Sequence, residues 1–329
     1  MSAISDANGT AVIRPASRRM VLLRRWSWLP VLVVGAVLYE LVRLTLADTG
    51  DPLFVPTLIL LGAAVIPVAF VAFISGRDLS FGVGAGVVGL TALLGGVVGV
   101  LVAGSLEYAT AHSAGSLPPF AIGLIEEFAK LLVPTAVLLT YLLFRRNRHR
   151  ADGLLLGVAC GAGFAVLETM GYALVALVES GGNLSLVNGL LLDRGLLSPA
   201  AHMAWTGLAG AALWRAASEH WRPRTVVRFV VVYLLVAALH AGWDSTVSGW
   251  AHASLAVVSL GLLLWTTHRL ARADRPRPGR LGRGWPATLG TPPVGQPAPG
   301  RPVMTPVAPY SEPRSDWRSA PQAGHEGTT

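Results

Sequence analysis

The stretch IGLIEEFAKLLVP, residues 122–134, places three ionisable side chains, Glu126, Glu127 and Lys130, inside an apolar run long enough to cross a membrane. A charged side chain in the middle of a bilayer costs roughly 2.5–3.5 kcal/mol on insertion scales, so such residues usually face a polar cavity or a partner. The stretch therefore predicts a membrane-embedded helix that forms one wall of a polar site.

The composition of the whole chain agrees with a membrane protein. Of its 329 residues, 53% are hydrophobic and only 13% are charged, whereas soluble domains carry roughly 25% charged residues. The net charge of +8 could suggest a nucleic-acid partner. The arginines lie between apolar runs, as membrane orientation requires, so we expect no nucleic-acid binding. The single cysteine, Cys160, excludes an internal disulfide framework.

Apolar runs of spanning length occur eight times, and each is predicted to form a transmembrane helix because a helix needs about 20 apolar residues to cross the hydrocarbon core. The runs cover residues 27–47, 53–75, 81–104, 118–144, 153–178, 196–216, 226–247 and 250–268. The predicted fold class is therefore an all-α, polytopic membrane helical bundle with about eight transmembrane helices, contained in residues 26–270.

The loops between these runs alternate in charge. Arginines precede the first run and follow the second, fourth, sixth and eighth, whereas the other loops hold mostly acidic residues, among which we count Glu107. The positive-inside rule then predicts that both termini lie in the cytoplasm. We expect the protein to be a multi-pass protein of the plasma membrane. Residues 1–25 are predicted to be a basic cytoplasmic segment. Residues 271–329, with 12 of the 22 prolines, are predicted to be a disordered, Pro/Gly-rich cytoplasmic tail.

Four further ionisable residues inside predicted spans are candidates for this site: Glu168 in the fifth, His202 in the sixth, and His240 and Asp244 in the seventh. Glu40 and Arg43, in the first span, are three residues apart on a helix and can pair with each other or extend to the membrane interface. With the predicted orientation, Glu126 lies roughly 12 Å and Glu168 roughly 15 Å below the outer ends of their helices at 1.5 Å per residue. The histidines fall at a similar level. We therefore expect the four helices to bring these groups into one layer in the outer half of the membrane.

Helical spacing predicts which of these groups are neighbours. Glu126 and Lys130 are four residues apart, in the order that favours an intrahelical ion pair. His240 and Asp244 are also four apart, so the carboxylate can orient and polarise the imidazole.

Three uncharged side chains share faces with the predicted site. Phe164 and Tyr172 lie on the same helical face as Glu168, and Thr206 lies on the face of His202. They are predicted to support the site.

Carboxylates and imidazoles at one depth favour hydrolysis. A buried glutamate can take a proton from water, and a histidine can stabilise an oxyanion or protonate a leaving amine. No serine or cysteine is convincingly placed as a nucleophile, and the zinc-protease pattern HExxH is absent. A metal-free site and a site with a divalent metal such as Zn²⁺ are both open. The candidate ligands are Glu126, Glu127, Glu168, His202 and His240.

Two other functions also fit intramembrane charges. Chains of Glu and His mark transporters and proton relays, although no inverted repeat with broken helices is visible here. A scaffold without catalytic activity that binds membrane partners is the third hypothesis. It does not explain why so many ionisable groups are retained within the spans, since each raises the free energy of insertion.

Three motifs occur in order on successive predicted helices. EEFAK (126–130) matches EExxK, FAVLETMGY (164–172) matches FxxxExxxY, and HAGWD (240–244) matches HxxxD, with His202 between the last two. This combination resembles the PrsW family of intramembrane proteases, within the CAAX-protease-like superfamily, over about residues 30–268.

The resemblance implies hydrolysis of peptide bonds within the membrane, often in single-pass proteins such as anti-sigma factors. It implies that Glu126 and Glu127 activate water and that Lys130 is their charge partner. It assigns the rest of the catalytic site to Glu168, His202, His240 and Asp244. The expected partners are a transmembrane protein substrate and the lipid bilayer. Thr169 stands where relatives often have Asn, which puts a secondary hydrogen bond in doubt.

Overall fold

The computed structural model describes residues 3–5, 11–13, 18–146 and 149–274. Within these residues two short antiparallel strands, β1 (Ala3–Ser5) and β2 (Ala11–Ile13), precede a helical bundle. The helices are α1 (Arg18–Arg25), α2 (Trp28–Thr49), α3 (Val55–Ser75), α4 (Ala85–Ala114), α5 (Pro119–Leu143), α6 (Arg150–Glu179), α7 (Leu184–Leu197), α8 (His202–Ser218), α9 (Pro223–Asp244) and α10 (Gly249–Asp274). Single 3-10 turns, Pro52–Phe54 and Ser198–Ala200, precede α3 and α8.

Six helices of the described part are long and apolar enough to cross a membrane, which makes the chain a multi-pass, helical membrane protein. They are α2, α4, α6, α9, α10 and the segment Pro52–Ser75 that contains α3. Of the two other predicted spans, α5 has 25 residues but carries three ionisable side chains in its middle. The last, α8, has only 17 residues. The count of eight and the orientation of the termini stay predictions.

The central helix of the bundle is α6, the most buried of the six candidate spans. A stripe of glycines on α6 lies directly against the backbone of α8. A Cβ atom at Gly157 would collide with the carbonyl oxygen of Thr206, and one at Gly161 with that of His202. Small residues at four-residue spacing allow such close approach of helix backbones. The stripe therefore fixes the distance between the helix that carries Glu168 and the helix that begins at His202.

The glycine contacts of α6 lead to a stability prediction. Gly163 lies against the carbonyl oxygen of Ala92 on α4, where an added Cβ has no room. We expect Gly163→Ala to lower the free energy of unfolding by about 1–3 kcal/mol, as overpacking generally does. Thermal or denaturant unfolding in mild detergent measures this. Gly171, on the same helix but with open space at its Cβ position, is the matched control, and Gly171→Ala should leave stability unchanged or slightly raised.

The sixth predicted span, 196–216, is wrong at its start. The structure ends α7 at Leu197, makes a 3-10 turn through Pro199, and begins α8 only at His202. Proline lacks a backbone N–H and clashes with the preceding helical turn, so a helix cannot run through this position undisturbed. Ala201, with φ −110° and ψ −114°, completes the break. His202 is therefore the first residue of its helix rather than a residue one turn inside it.

The third predicted span, 81–104, is also wrong at its end, because α4 continues to Ala114. The additional residues contain no proline, and the helix ends only at Gly115, which has a positive φ of 86°. Glu107, counted above in a loop, is therefore helical. The first four residues of the predicted tail 271–329 belong to α10, and the remainder lies outside the described residues, as does part of the predicted N-terminal segment 1–25.

Candidate active site

The ammonium group of Lys130 is the centre of a buried polar cluster. Its side chain is fully buried, and Nζ lies 3.0 Å from Oε2 of Glu126 and 2.9 Å from Oε1 of Glu127. The third neighbour, at 2.9 Å, is Nδ1 of His202 on α8. The intrahelical pair predicted from the spacing of Glu126 and Lys130 is thus present. The single positive charge of Lys130 lies between two carboxylates and offsets part of their repulsion inside the bundle.

His240, on α9, completes the cluster beside His202, with the two ring centroids 5.4 Å apart. Its Nδ1 lies 3.2 Å from Oε1 of Glu127, and its Nε2 lies 3.5 Å from Oε2 of Glu126. The same Nε2 lies 3.4 Å from Oδ2 of Asp244, the predicted neighbour one turn along the helix. The indole of Trp205 stacks on the imidazole with the ring centroids 4.7 Å apart. Carboxylates and indole together hold the ring in one orientation.

Glu168, on α6, extends the cluster towards α7. Its Oε2 lies 2.8 Å from Nε2 of His202 and 2.8 Å from Nη2 of Arg194. Arg194 also donates a hydrogen bond from Nε to Oγ1 of Thr169, at 3.3 Å, and its guanidinium lies 4.1 Å from the ring centroid of Tyr172. The arginine therefore fixes the carboxylate that in turn orients the imidazole.

The three predicted supporting residues all contact this network. The Lys130 ammonium lies 4.1 Å from the ring centroid of Phe164, a distance at which the ring face attracts a cation. Thr206 donates a hydrogen bond to Oε2 of Glu127 at 3.3 Å. Tyr172 is about half exposed and lies farther out, against the arginine. The structure thus brings all ten predicted residues together from α5, α6, α8 and α9.

Two ionisable residues of this region escaped the sequence analysis. Arg194, on α7, is the single arginine in the segments between predicted spans that otherwise carry acidic residues, and that isolation was the available signal. Glu107, on α4, has a buried Oε1 without a hydrogen-bond partner among the described residues. Glu126 and His240 are close enough to act on it electrostatically. Its place near the site could have been predicted only if α4 had been expected to continue to Ala114.

A cavity of about 480 Å³ adjoins the cluster. Glu168, His202, Arg194, Asp244 and His252 are among the residues that line it. Its volume lies within the range of small-molecule and substrate pockets, roughly 300–1,000 Å³. Three side chains of the cluster, Glu168, His202 and Asp244, therefore border a space that α7 and α10 also line.

Three side chains of the cluster form a possible metal-binding set. Glu126, His202 and His240, all buried, each offer one ligand atom, and these atoms lie within 4.8 Å of one another. One carboxylate oxygen and two imidazole nitrogens are the protein ligands of a common type of catalytic zinc site.

Comparison with known proteins agrees with this geometry. A family model described as PrsW family intramembrane metalloprotease matches residues 78–267, more than half of the chain. No curated protein and no solved structure matches the chain. The matched region runs from just before α4 into α10 and contains every side chain of the cluster. With its membrane helices and its buried carboxylates and imidazoles, the chain belongs to the PrsW family of intramembrane metalloproteases.

Proposed function

We propose that the chain is an endopeptidase that hydrolyses a peptide bond of a membrane-protein substrate at the cluster around Lys130. The observation that supports this most is the connected set of carboxylates, imidazoles and one ammonium, drawn from four helices and open to a cavity. Hydrolysis needs a group that takes a proton from water and a group that returns one to the leaving amine. Carboxylates and imidazoles supply both.

Glu126 is the better placed of the two adjacent glutamates to meet the attacking water. Its side chain is 11% exposed, whereas that of Glu127 has no exposed surface. Glu127 is held on all sides, by Lys130, His240 and Thr206. We therefore assign Glu127 to positioning the lysine and the imidazole, and Glu126 to the water.

The donor set of the cluster fits a divalent metal such as Zn²⁺. Glu126, His202 and His240 would hold it, and each imidazole has a carboxylate on one ring nitrogen, Glu168 on His202 and Glu127 on His240. Such carboxylate–histidine pairs orient the ring and strengthen it as a ligand. When bound, the ion would polarise the substrate carbonyl and lower the pKa of a water molecule. In this structure the ammonium of Lys130 supplies positive charge next to two of these residues, Glu126 and His202.

The remaining steps fall to groups that line the cavity. The water oxygen bonds to the carbonyl carbon, and its proton passes to a carboxylate. Collapse of the tetrahedral intermediate breaks the C–N bond, and the departing nitrogen takes a proton. Asp244, 3.4 Å from His240 Nε2, and Glu168, 2.8 Å from His202 Nε2, can each relay that proton through an imidazole. Arg194 keeps Glu168 at the cavity wall.

The arrangement in the membrane is part of the same proposal. We infer eight crossings, with α5 and α8 added to the six candidate spans, and cytoplasmic termini in the plasma membrane. This orientation rests on the arginines of alternate loops. It puts the cluster in the outer half of the bilayer, so cleavage is expected near the extracytoplasmic end of a single-pass substrate, of which an anti-sigma-factor-like protein is one example.

Metal content separates the metal-dependent route from a glutamate-only route. We expect the purified full-length protein, equilibrated with Zn²⁺ and freed of excess, to retain about one ion per chain, as three protein ligands and one water suffice. His202→Ala/His240→Ala should lose it. His252→Ala is the matched control, because this histidine lines the same cavity but lies outside the ligand set. Equal zinc content in all three proteins would contradict the assigned ligands.

Proteolysis itself is tested by searching for cleavage products in a mixture of membrane proteins, without a substrate chosen in advance. Host membranes lacking the enzyme are solubilised, reconstituted into vesicles with the purified protein, and analysed for new protein termini by mass spectrometry. We expect new termini inside hydrophobic spans with the wild-type protein and none with Glu126→Gln. No new termini with the wild-type protein would overturn the proposed proteolysis, and the same new termini with Glu126→Gln would overturn the assignment of Glu126 to the water.

A further inference from the structure

A second cavity, of about 270 Å³, lies between α8, α9 and α10. Four arginines line it: Arg150, Arg215, Arg228 and Arg269. They belong to the start of α6, the end of α8, the start of α9 and the end of α10, so they gather at one end of the bundle. Arg150 lies roughly 27 Å from Glu168 along α6 at 1.5 Å per residue. This arginine cavity is therefore separate from the candidate active site.

The four arginines of the cavity carry more positive charge than the neighbouring carboxylate of Glu219 neutralises. Glu219 takes up part of it, with Oε1 3.3 Å from Nη2 of Arg150 and 3.0 Å from Nε of Arg215. Arg228 and Arg269 form no ion pair with any residue in the described ranges. Two guanidinium groups are thus free to bind an anion. Guanidinium is planar and offers paired N–H donors that match the oxygens of a phosphate.

The lining changes from charged to apolar with depth. On α8, Leu208 lies two helical turns below Arg215, roughly 10 Å deeper. On α9, Val232 lies one turn below Arg228. At the mouth, the guanidinium of Arg269 lies 4.4 Å from the ring centroid of Trp265, a residue type enriched at the membrane–water interface. A cavity with a cationic mouth and an apolar floor has the polarity of a phospholipid.

We propose that the arginine cavity binds an anionic phospholipid, with the headgroup phosphate at Arg228 and Arg269 and an acyl chain along Leu208 and Val232. Basic pockets between transmembrane helices are suited to lipid headgroups, and a purely electrostatic anion site would not need an apolar floor. A free phosphate ion would use the mouth alone. The proposal does not depend on the peptidase function, because the site is at the other end of the bundle.

The test uses the full-length protein in detergent and native mass spectrometry to count bound lipid. Phosphatidylglycerol and phosphatidylcholine are added separately, at matched concentrations. We expect the wild type to retain phosphatidylglycerol in preference to phosphatidylcholine. R228Q/R269Q should bind it at least about tenfold more weakly, since each arginine near an anionic headgroup contributes severalfold in affinity. The matched control is R222Q/R224Q, which removes two exposed arginines of the same region that do not line the cavity and should bind as the wild type does.

Three outcomes overturn the proposal. Equal phosphatidylglycerol binding by both double variants would show that the lipid binds elsewhere. Equal binding of the two lipids by the wild type would show that the anionic headgroup is not recognised. Displacement of the lipid by inorganic phosphate at equal concentration would make the site one for a free anion. Both arginines are exposed, so R228Q/R269Q should fold. The single variant R269Q, with an expected intermediate loss of affinity, provides the same test if the double variant does not.

Discussion

Replacing Glu126 by glutamine is expected to lower the rate of substrate cleavage by at least about 100-fold, the smaller effect usually seen when a general base is lost. Glutamine keeps the shape of the side chain, but it can neither accept a proton from water nor contribute a negative ligand oxygen. The Glu126–Lys130 contact at 3.0 Å can be kept as a neutral hydrogen bond. The measurement is the initial rate of cleavage of a substrate found in the reconstituted membranes, under single-turnover conditions.

The matched control for this substitution is Glu40→Gln. Glu40 is also a glutamate in a membrane-spanning helix and is also paired with a basic residue, Arg43, but it is exposed and far along the chain from the cluster. We expect the control to cleave at nearly the wild-type rate. If Glu126→Gln also cleaves at that rate while its folding is intact, Glu126 has no role at the water, and the assignment of the site fails.

Replacing Lys130 by methionine is expected to lower the free energy of unfolding by about 3–5 kcal/mol, because removal of one partner leaves buried charges uncompensated. The lysine side chain has no exposed surface, and its ammonium contacts Glu126, Glu127 and His202. Methionine fills nearly the same volume, so little of the loss would come from a cavity. Denaturant unfolding of the purified protein in a mild detergent measures the effect.

A double-mutant cycle distinguishes charge from packing at this position. Lys130→Met/Glu127→Gln removes the ammonium together with one of its carboxylates, and it should be more stable than Lys130→Met alone. Arg43→Met, which breaks the exposed pair with Glu40, is the control and should change stability little, since exposed ion pairs contribute little. A double variant as unstable as the sum of its single variants would indicate that the lysine acts through packing.

The parts of the site that could be predicted are those fixed within one helix. The contacts of Lys130 with Glu126 and of His240 with Asp244 follow from a spacing of four residues, because helical geometry alone brings such side chains together. The convergence of different helices followed from a different constraint. Ionisable groups inside a membrane need partners, and charges without a partner on their own helix can satisfy that need by meeting charges on other spans.

The parts that could not be predicted depend on where helices end and where they dock. Arg194 contacts Glu168 only because α7 folds back against α6 and α3. No periodic pattern in residues 184–197 predicts where α7 packs. Glu107 was misplaced because the polar end of α4 reads as a loop when helix ends are taken from hydropathy alone. The start of α8 was misplaced although Pro199 was visible, because apolar residues continue on both sides of the turn.

The backbone contact between α6 and α8 restricts how a substrate can reach the site. Gly157 and Gly161 hold the two helices so closely that they cannot part without losing their whole shared surface. The Glu168–His202 pair therefore moves as one body. A substrate segment must therefore enter past other helices, and α10, which is little buried, borders the cavity near His252. We expect α10 to move when a substrate enters, while α6 and α8 keep their positions relative to each other.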